Sequence, residues 1–139
     1  MSDTYLFYDS KIGIVAAELQ SLYRFTRWGR SRSIAQIETM LKHTDLCFSV
    51  RFKGELVAFC RILTDFAFRA SLWDVVVHPD HQGQGLGSKL MDYALKHPAI
   101  RDIPMVFTYT SELGPFLSHL GFRSDGGLMM LLRRPIEYS

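Results

Sequence analysis

The spacing of apolar positions changes along the chain, and each change marks an element. After an extended start at Tyr5 to Tyr8, the residues Ile12, Val15, Ala16, Leu19, Leu22 and Tyr23 recur at helical spacing. A polar loop, RFTRWGRSR at Arg24 to Arg32, interrupts the pattern. Ser33 followed by Gln36 reads as a capping box for a second helix that carries Ile34, Ile37, Met40 and Leu41 on one side. From there the period shortens. Leu46 to Phe52 and Glu55 to Leu63 are strand-like runs joined by Lys53-Gly54, a hairpin connection that uses glycine's tolerance of positive φ. A third run, Ser71 to His78, ends at Pro79. Leu86, Leu90, Met91, Ala94 and Leu95 then form a helical stripe within Gly85 to His97, with Lys96 and His97 where the helix dipole favours cations. A strand at Met105 to Thr110, a short helix near Pro115 to Leu120 stopped by Gly121, and a last strand near Leu128 to Arg133 complete the order. The pattern predicts a mixed α/β domain, antiparallel at first, with a helical crossover later.

Composition narrows this picture. A chain of 139 residues, 47% hydrophobic and 22% charged, is expected to be one folded domain spanning 1–139. A net charge of +2 is too small for a phosphate-tracking surface, so nucleic acid is not an expected partner. The local cluster Arg24, Arg27, Arg30 and Arg32 can still meet an anion. Cys47 and Cys60 lie in apolar runs without the spacing of a zinc site, which predicts buried thiols and no metal. No apolar run approaches the ~20 residues of a membrane span, and MSDTYLFYDS lacks the basic-then-apolar order of a signal peptide. The expectation is a cytoplasmic protein without a membrane partner.

Chemistry enters at Val75 to Met91, VVVHPDHQGQGLGSKLM. A β-branched strand runs there into a turn with glycine at 83, 85 and 87, and the turn opens a helix. Several backbone N–H groups and the positive end of the helix dipole converge on one spot, which suits a phosphate or pyrophosphate. The three glycines let a ligand come within hydrogen-bond distance of the main chain, where a Cβ would intrude. A tight turn that merely needs backbone freedom is the alternative. Ser88 holds the sixth position of the dinucleotide fingerprint G-x-G-x-x-G, and no Walker sequence occurs.

The stretch Gln82-Gly83-Gln84-Gly85-Leu86-Gly87 resembles the acyl-CoA loop, Q/R-x-x-G-x-G/A, of the GCN5-related N-acetyltransferases. Val75, Val77 and Pro79 match the V-x-V-x-P that precedes it in that family, and Leu120-Gly121-Phe122 resembles the close of its last helix. TDFAFRASLWDVVVHPDHQGQGLG is most similar to small bacterial members and to plastid and cyanobacterial arylalkylamine, or serotonin-type, acetyltransferases. The resemblance implies a single-domain fold with a mostly antiparallel twisted sheet flanked by helices, its strands splayed around acetyl-CoA. It also implies a small-molecule amine as acceptor and a homodimer as assembly. Carried over, it assigns the pyrophosphate to the main chain from Gln82 through Gly83, Gln84, Gly85, Leu86 and Gly87 to Ser88. Pantetheine then pairs with the backbone of Val75, Val76 and Val77, and an N–H near Val75 or Val76 polarises the thioester carbonyl.

Transfer to an amine requires its neutral form, since the alkylammonium has a pKa of ~10.4 and no lone pair. Asp74, an acid inside an apolar strand beside the expected thioester, is the candidate base. Hydrogen bonding to a neighbouring loop and binding of the acceptor's ammonium are its other open roles. Asp65 is a second candidate near the acceptor or a turn residue. The family's tyrosine in F-Y-x-x-x-G-F is Leu117 here, so either the thiolate leaves without a tyrosine, which a thiol pKa of ~8.5 permits, or another group supplies the proton; Tyr109, Ser111 and His119 are nearby in sequence. Ser111 is alternatively a pantetheine contact. Trp28, Phe66, Phe68 and Trp73 are expected to give the acceptor groove aromatic walls, with membership of the core as their other open role, while Arg27 and Arg30 offer sites for a carboxylate.

Overall fold

A computed structural model describes residues 4–109 and 114–124. Ser111 and the strand predicted near Leu128 to Arg133 lie outside the described residues. Among the described residues five strands form one sheet in chain order: β1 (Leu6–Tyr8), β2 (Leu46–Phe52), β3 (Glu55–Thr64), β4 (Arg69–Val77) and β5 (Met105–Thr108). The first four pair antiparallel, and β5 runs parallel to β4. The crossover between them carries α3 (Leu86–Leu95), and α4 (Gly114–His119) follows β5.

Two helices lead into β2, α1 (Ala16–Tyr23) and α2 (Ile34–His43). The predicted capping box starts α2: Ser33 Oγ accepts from the Gln36 N–H at 3.1 Å, and Gln36 Oε1 accepts from the Ser33 N–H at 2.8 Å. Helix α1 begins a turn later than its apolar spacing predicts. Gly13 at φ +91° holds the preceding segment out of the helix, which leaves Ile12 91% exposed. The hairpin forms as expected, with positive φ at both Lys53 and Gly54, the twist that suits a two-residue turn.

The sheet separates two apolar layers. Leu86, Leu90, Met91 and Ala94 of α3 pack with Phe48, Val50, Cys60, Ile62, Ala70 and Leu72. On the other face Leu19, Leu22 and Tyr23 of α1 and Ile37 of α2 pack with Cys47, Phe59 and Val76. Each fully buried Leu, Ile or Phe contributes about 1.5–3 kcal/mol, which holds both helical layers on the sheet. Cys47 and Cys60 are buried and unpaired as expected, and burial pushes the Cys47 thiol up to about 11.

Strand β4 changes face part-way. Ala70 and Leu72 belong to the α3 layer, yet Val76 belongs to the opposite one, which regular alternation forbids. The cause is a bulge. Phe59 pairs with Val76 and Arg61 with Trp73, so Asp74 and Val75 together oppose Cys60. Asp74 takes the extra position at φ +59°.

Candidate functional site

The bulge coincides with the end of pairing between β4 and β5. Their ladder runs from Arg69 opposite Met105 to Leu72 opposite Thr108, where Thr108 Oγ1 also donates to the Leu72 carbonyl at 2.8 Å. Strand β4 continues to Val77 with no strand on that side among the described residues. Backbone N–H and C=O groups facing such a gap need partners. A groove of about 940 Å³ opens along this stretch, bounded by Leu72 to Val77, Thr108, Tyr109 and Leu117, and by the start of α3.

At its far end stands the glycine turn. Gln82 Nε2 donates to the Val77 carbonyl at 2.9 Å and ties the turn to the end of the strand. Gly85 caps α3 at φ +76°, and the helix's first closing bond runs from the Lys89 N–H to the Gly85 carbonyl at 3.0 Å. The N–H groups of Leu86, Gly87 and Ser88 therefore have no helical acceptor. The three glycines differ. Gly83 and Gly85 adopt left-handed φ of +80° and +76°, which L residues adopt only at a cost. Gly87 lies inside the helix, and a Cβ there would make only ordinary contact with Val77 Cγ2 at 3.5 Å. Neither backbone nor packing requires glycine at 87.

Asp74 turns to the opposite face. Its Oδ2 accepts from Arg32 Nη1 at 2.7 Å, from Arg61 Nε at 2.8 Å and from the Tyr23 hydroxyl at 3.0 Å. Arg32 Nη2 lies 3.5 Å from Oδ1. Its side chain is 6% exposed, against 26% for Arg32 and 15% for Arg61. Burial alone would push the Asp74 carboxyl up, but the hydrogen bond from Arg32 and the charges of Arg61 and Arg32 outweigh it and hold the carboxyl below the usual carboxylate range. Tyr23 is pushed the other way, by burial first and the Asp74 charge second. Arg32 also stacks, its guanidinium carbon 4.9 Å from the Tyr23 ring centre and 5.1 Å from that of Trp28.

This geometry alters the expectation for Asp74. A carboxylate with three donors on one oxygen and a depressed pKa is a poor proton acceptor for an amine. Hydrogen bonding to a neighbouring loop was one of its open roles, and Arg32 of that loop is one of its donors. The groove does collect Asp74, beside its partner Arg32, with Val75, Val76, Val77, Gln82, Gly83, Gly85, Leu86, Gly87, Trp28 and Trp73. Gln84 and Ser88 share the turn and the first turn of α3 without lining the groove. Asp65, Phe66 and Phe68 are not brought to it. They form the tight turn between β3 and β4, at the opposite end of β4 from the glycine turn. Asp65 Oδ1 accepts there from the N–H groups of Ala67, Phe68 and Arg69 at 2.8–3.1 Å, bonds that also lower its pKa. Phe66 and Phe68 stand 54% and 66% exposed.

Arg61 and Tyr23 escaped the sequence reading. The signal for Arg61 was the one that singled out Asp74: a charge inside an apolar run, FCRILT, needs a partner. Phe25, Arg27 and Tyr109 also reach the groove.

Residues 15–112 match the family model described as the Acetyltransferase (GNAT) family. The chain belongs to that family. It is 31% identical over 128 residues to the uncharacterized N-acetyltransferase ycf52 of Gracilaria tenuistipitata var. liui, covering 88% of this chain and 69% of that protein. To the histone acetyltransferase TAP1 of Glycine max it is 30% identical over 120 residues, 78% of this chain and 52% of that one. Among solved structures, a protein assigned to the GNAT family from Xanthomonas campestris pv. campestris superposes with a TM-score of 0.82 at 27% identity, covering 96% of this chain and 94% of its own. The mixed five-stranded sheet with flanking helices is thus the GNAT fold, and the protein is a GNAT acyltransferase.

Proposed function

We propose that this GNAT enzyme transfers acetyl from acetyl-CoA to the primary amine of a small molecule with a flat, apolar body, by direct attack in a ternary complex. The unpaired end of β4 running into the glycine turn carries this reading. Its backbone gives the two amides of pantetheine their partners at Val75 to Val77, and the turn from Gln82 to Ser88 gives the pyrophosphate its N–H donors. The bulge re-aims the main chain just before Val75, and an N–H there receives the charge that grows on the thioester oxygen.

The neutral amine attacks the thioester carbonyl carbon, a C–N bond forms, the C–S bond breaks, and the thiolate leaves with the modest affinity for a proton of a thiol of pKa ~8.5. The amine's proton passes to water in the open groove, because Asp74 is occupied. Tyr109, the phenol of the groove, returns a proton to sulfur in place of the tyrosine that Leu117 replaces. Phe25, Trp28, Trp73 and Tyr109 line the groove and favour an aromatic acceptor such as an arylalkylamine.

A second reading, transfer to a lysine or N-terminus of a protein, is favoured by the relative whose name is a histone acetyltransferase. Thiol release from acetyl-CoA across a panel of arylalkylamines, amino acids and lysine peptides, beside calorimetry with CoA, separates the readings. Turnover confined to peptides would replace the first reading with the second, and CoA binding without turnover of any acceptor would overturn both.

A further inference from the structure

Beside the groove lies a second, smaller cavity of about 250 Å³, lined by Arg32, Gln36, Met40 and Arg61. Arg32 is a wall of both spaces. The charges around the small cavity do not balance. Two guanidiniums share the single carboxylate of Asp74, which leaves one positive charge over. Lys11, bound to the carbonyls of Leu41 and Thr44 at the end of α2, adds to the same sign.

Donors are also in excess. Arg61 spends Nε on Asp74 and Nη1 on Thr44 Oγ1 at 3.3 Å, and its Nη2 has no acceptor among the described residues. No buried side-chain nitrogen or oxygen among those residues lacks a partner, so Nη2 reaches solvent, and the cavity is the open space that Arg61 lines. One guanidinium nitrogen facing the cavity, with one uncompensated charge behind it, suits a small monoanion such as a carboxylate. The volume falls below the 300–1,000 Å³ usual for a whole ligand and suits a small substituent. A phosphate dianion would exceed the surplus charge of one, which a carboxylate monoanion matches.

We propose that this cavity receives the carboxylate of the acceptor, so that the enzyme acetylates an amine of the amino-acid type whose apolar body lies in the groove. The inference rests on the acetyl transfer proposed above and names its substrate class. An anion held by Arg61 Nη2 beside the Arg32 guanidinium places the rest of its molecule towards Trp28, on which Arg32 stacks, and towards the bulge.

Matched pairs that differ only in the carboxylate test this: tryptophan against tryptamine, and phenylalanine against 2-phenylethylamine. The carboxylated member of each pair is expected to have a kcat/KM at least about tenfold higher. A carboxylate also lowers the pKa of its neighbouring amine, so Gln36→Glu supplies the control. Glu at that position keeps the capping box and sets a negative charge in the cavity wall, where it competes with an incoming carboxylate for the arginines. In this variant the preference is expected to shrink to about twofold with CoA affinity unchanged. Equal turnover in wild type, or a preference that survives Gln36→Glu, would overturn the proposal. If no amine turns over, the transfer reading itself fails, and calorimetry with CoA present decides the cavity separately. There N-acetyltryptophan is expected to bind at least about tenfold more tightly than N-acetyltryptamine, and equal affinities would overturn the assignment.

Discussion

Replacing Asp74 with Asn removes one charge and little else. Asn tolerates positive φ as Asp does, so the bulge at φ +59° is not itself opposed, and the side chain still offers Tyr23 an oxygen. What remains is a pair of mutually repelling guanidiniums, 26% and 15% exposed, without their common anion. Removing one partner of a fully buried ion pair costs about 3–5 kcal/mol, and the partial exposure of both arginines reduces this to about 2–4 kcal/mol. A chain of 139 residues unfolds with an entropy near 0.3 kcal/mol/K, which converts the loss to a fall in Tm of about 7–13 °C. Thermal unfolding followed by circular dichroism at pH 7 measures it. The double variant Asp74→Asn with Arg61→Met is expected to lose less than the sum of the single changes, because it removes part of the repulsion. Turnover is also expected to fall, through a displaced β4 backbone, by a factor that stays constant between pH 7 and 9.5. A Tm within about 2 °C of wild type would refute the network as a stabilising unit. A rate loss that fades as pH rises would show that Asp74 takes the amine's proton after all.

Gly87→Ala is expected to raise stability by up to about 1 kcal/mol, because helical Ala is favoured over Gly and the new Cβ fits, while CoA affinity falls at least about tenfold; unchanged calorimetric affinity would remove the ligand from that position. Gly85→Asp is expected to cost about 1 kcal/mol for its left-handed φ and to abolish CoA binding by setting a negative charge where the pyrophosphate belongs, and a folded variant with normal affinity would contradict the anion site. The Asp74 pKa is lower in the folded state than its ordinary value of 3.8, so its contribution is complete above that value and is lost as pH falls through the folded one. Wild type is therefore expected to lose stability more steeply below about pH 4 than Asp74→Asn, as urea midpoints across pH 2–6 would record.

What the sequence made legible was local. The capping box, the Lys53-Gly54 hairpin, the α3 stripe and the glycine turn are each written within a few adjacent residues, and each formed as read. The partners of Asp74 lie 13, 42 and 51 positions away, a distance no periodicity bridges. The alternation rule also failed at one residue, because a bulge adds a position that hydropathy alone does not mark. Phe66 and Phe68 show the converse error. Their aromatic character suited a groove wall, but the antiparallel hairpin of β3 and β4 puts their turn at the other end of the strand.

Asp74 links the fold to the site through the backbone. Left-handed φ at a residue other than glycine is held against a strain of about 1–2 kcal/mol, and the two arginines and Tyr23 hold it from the α1 side of the sheet. The bulge so fixed exchanges the faces of β4. Val75 and Val77 are left packed with the α3 layer and Val76 with the α1 layer, while the edge towards β5 loses its partner just after Leu72. A glycine at 74 would adopt the same φ more readily, yet it would bring no anion to hold Arg32 beside Trp28 or Arg61 against Thr44. One side chain thus sets the main-chain geometry of β4 and neutralises half of the charge of the two arginines bound to it.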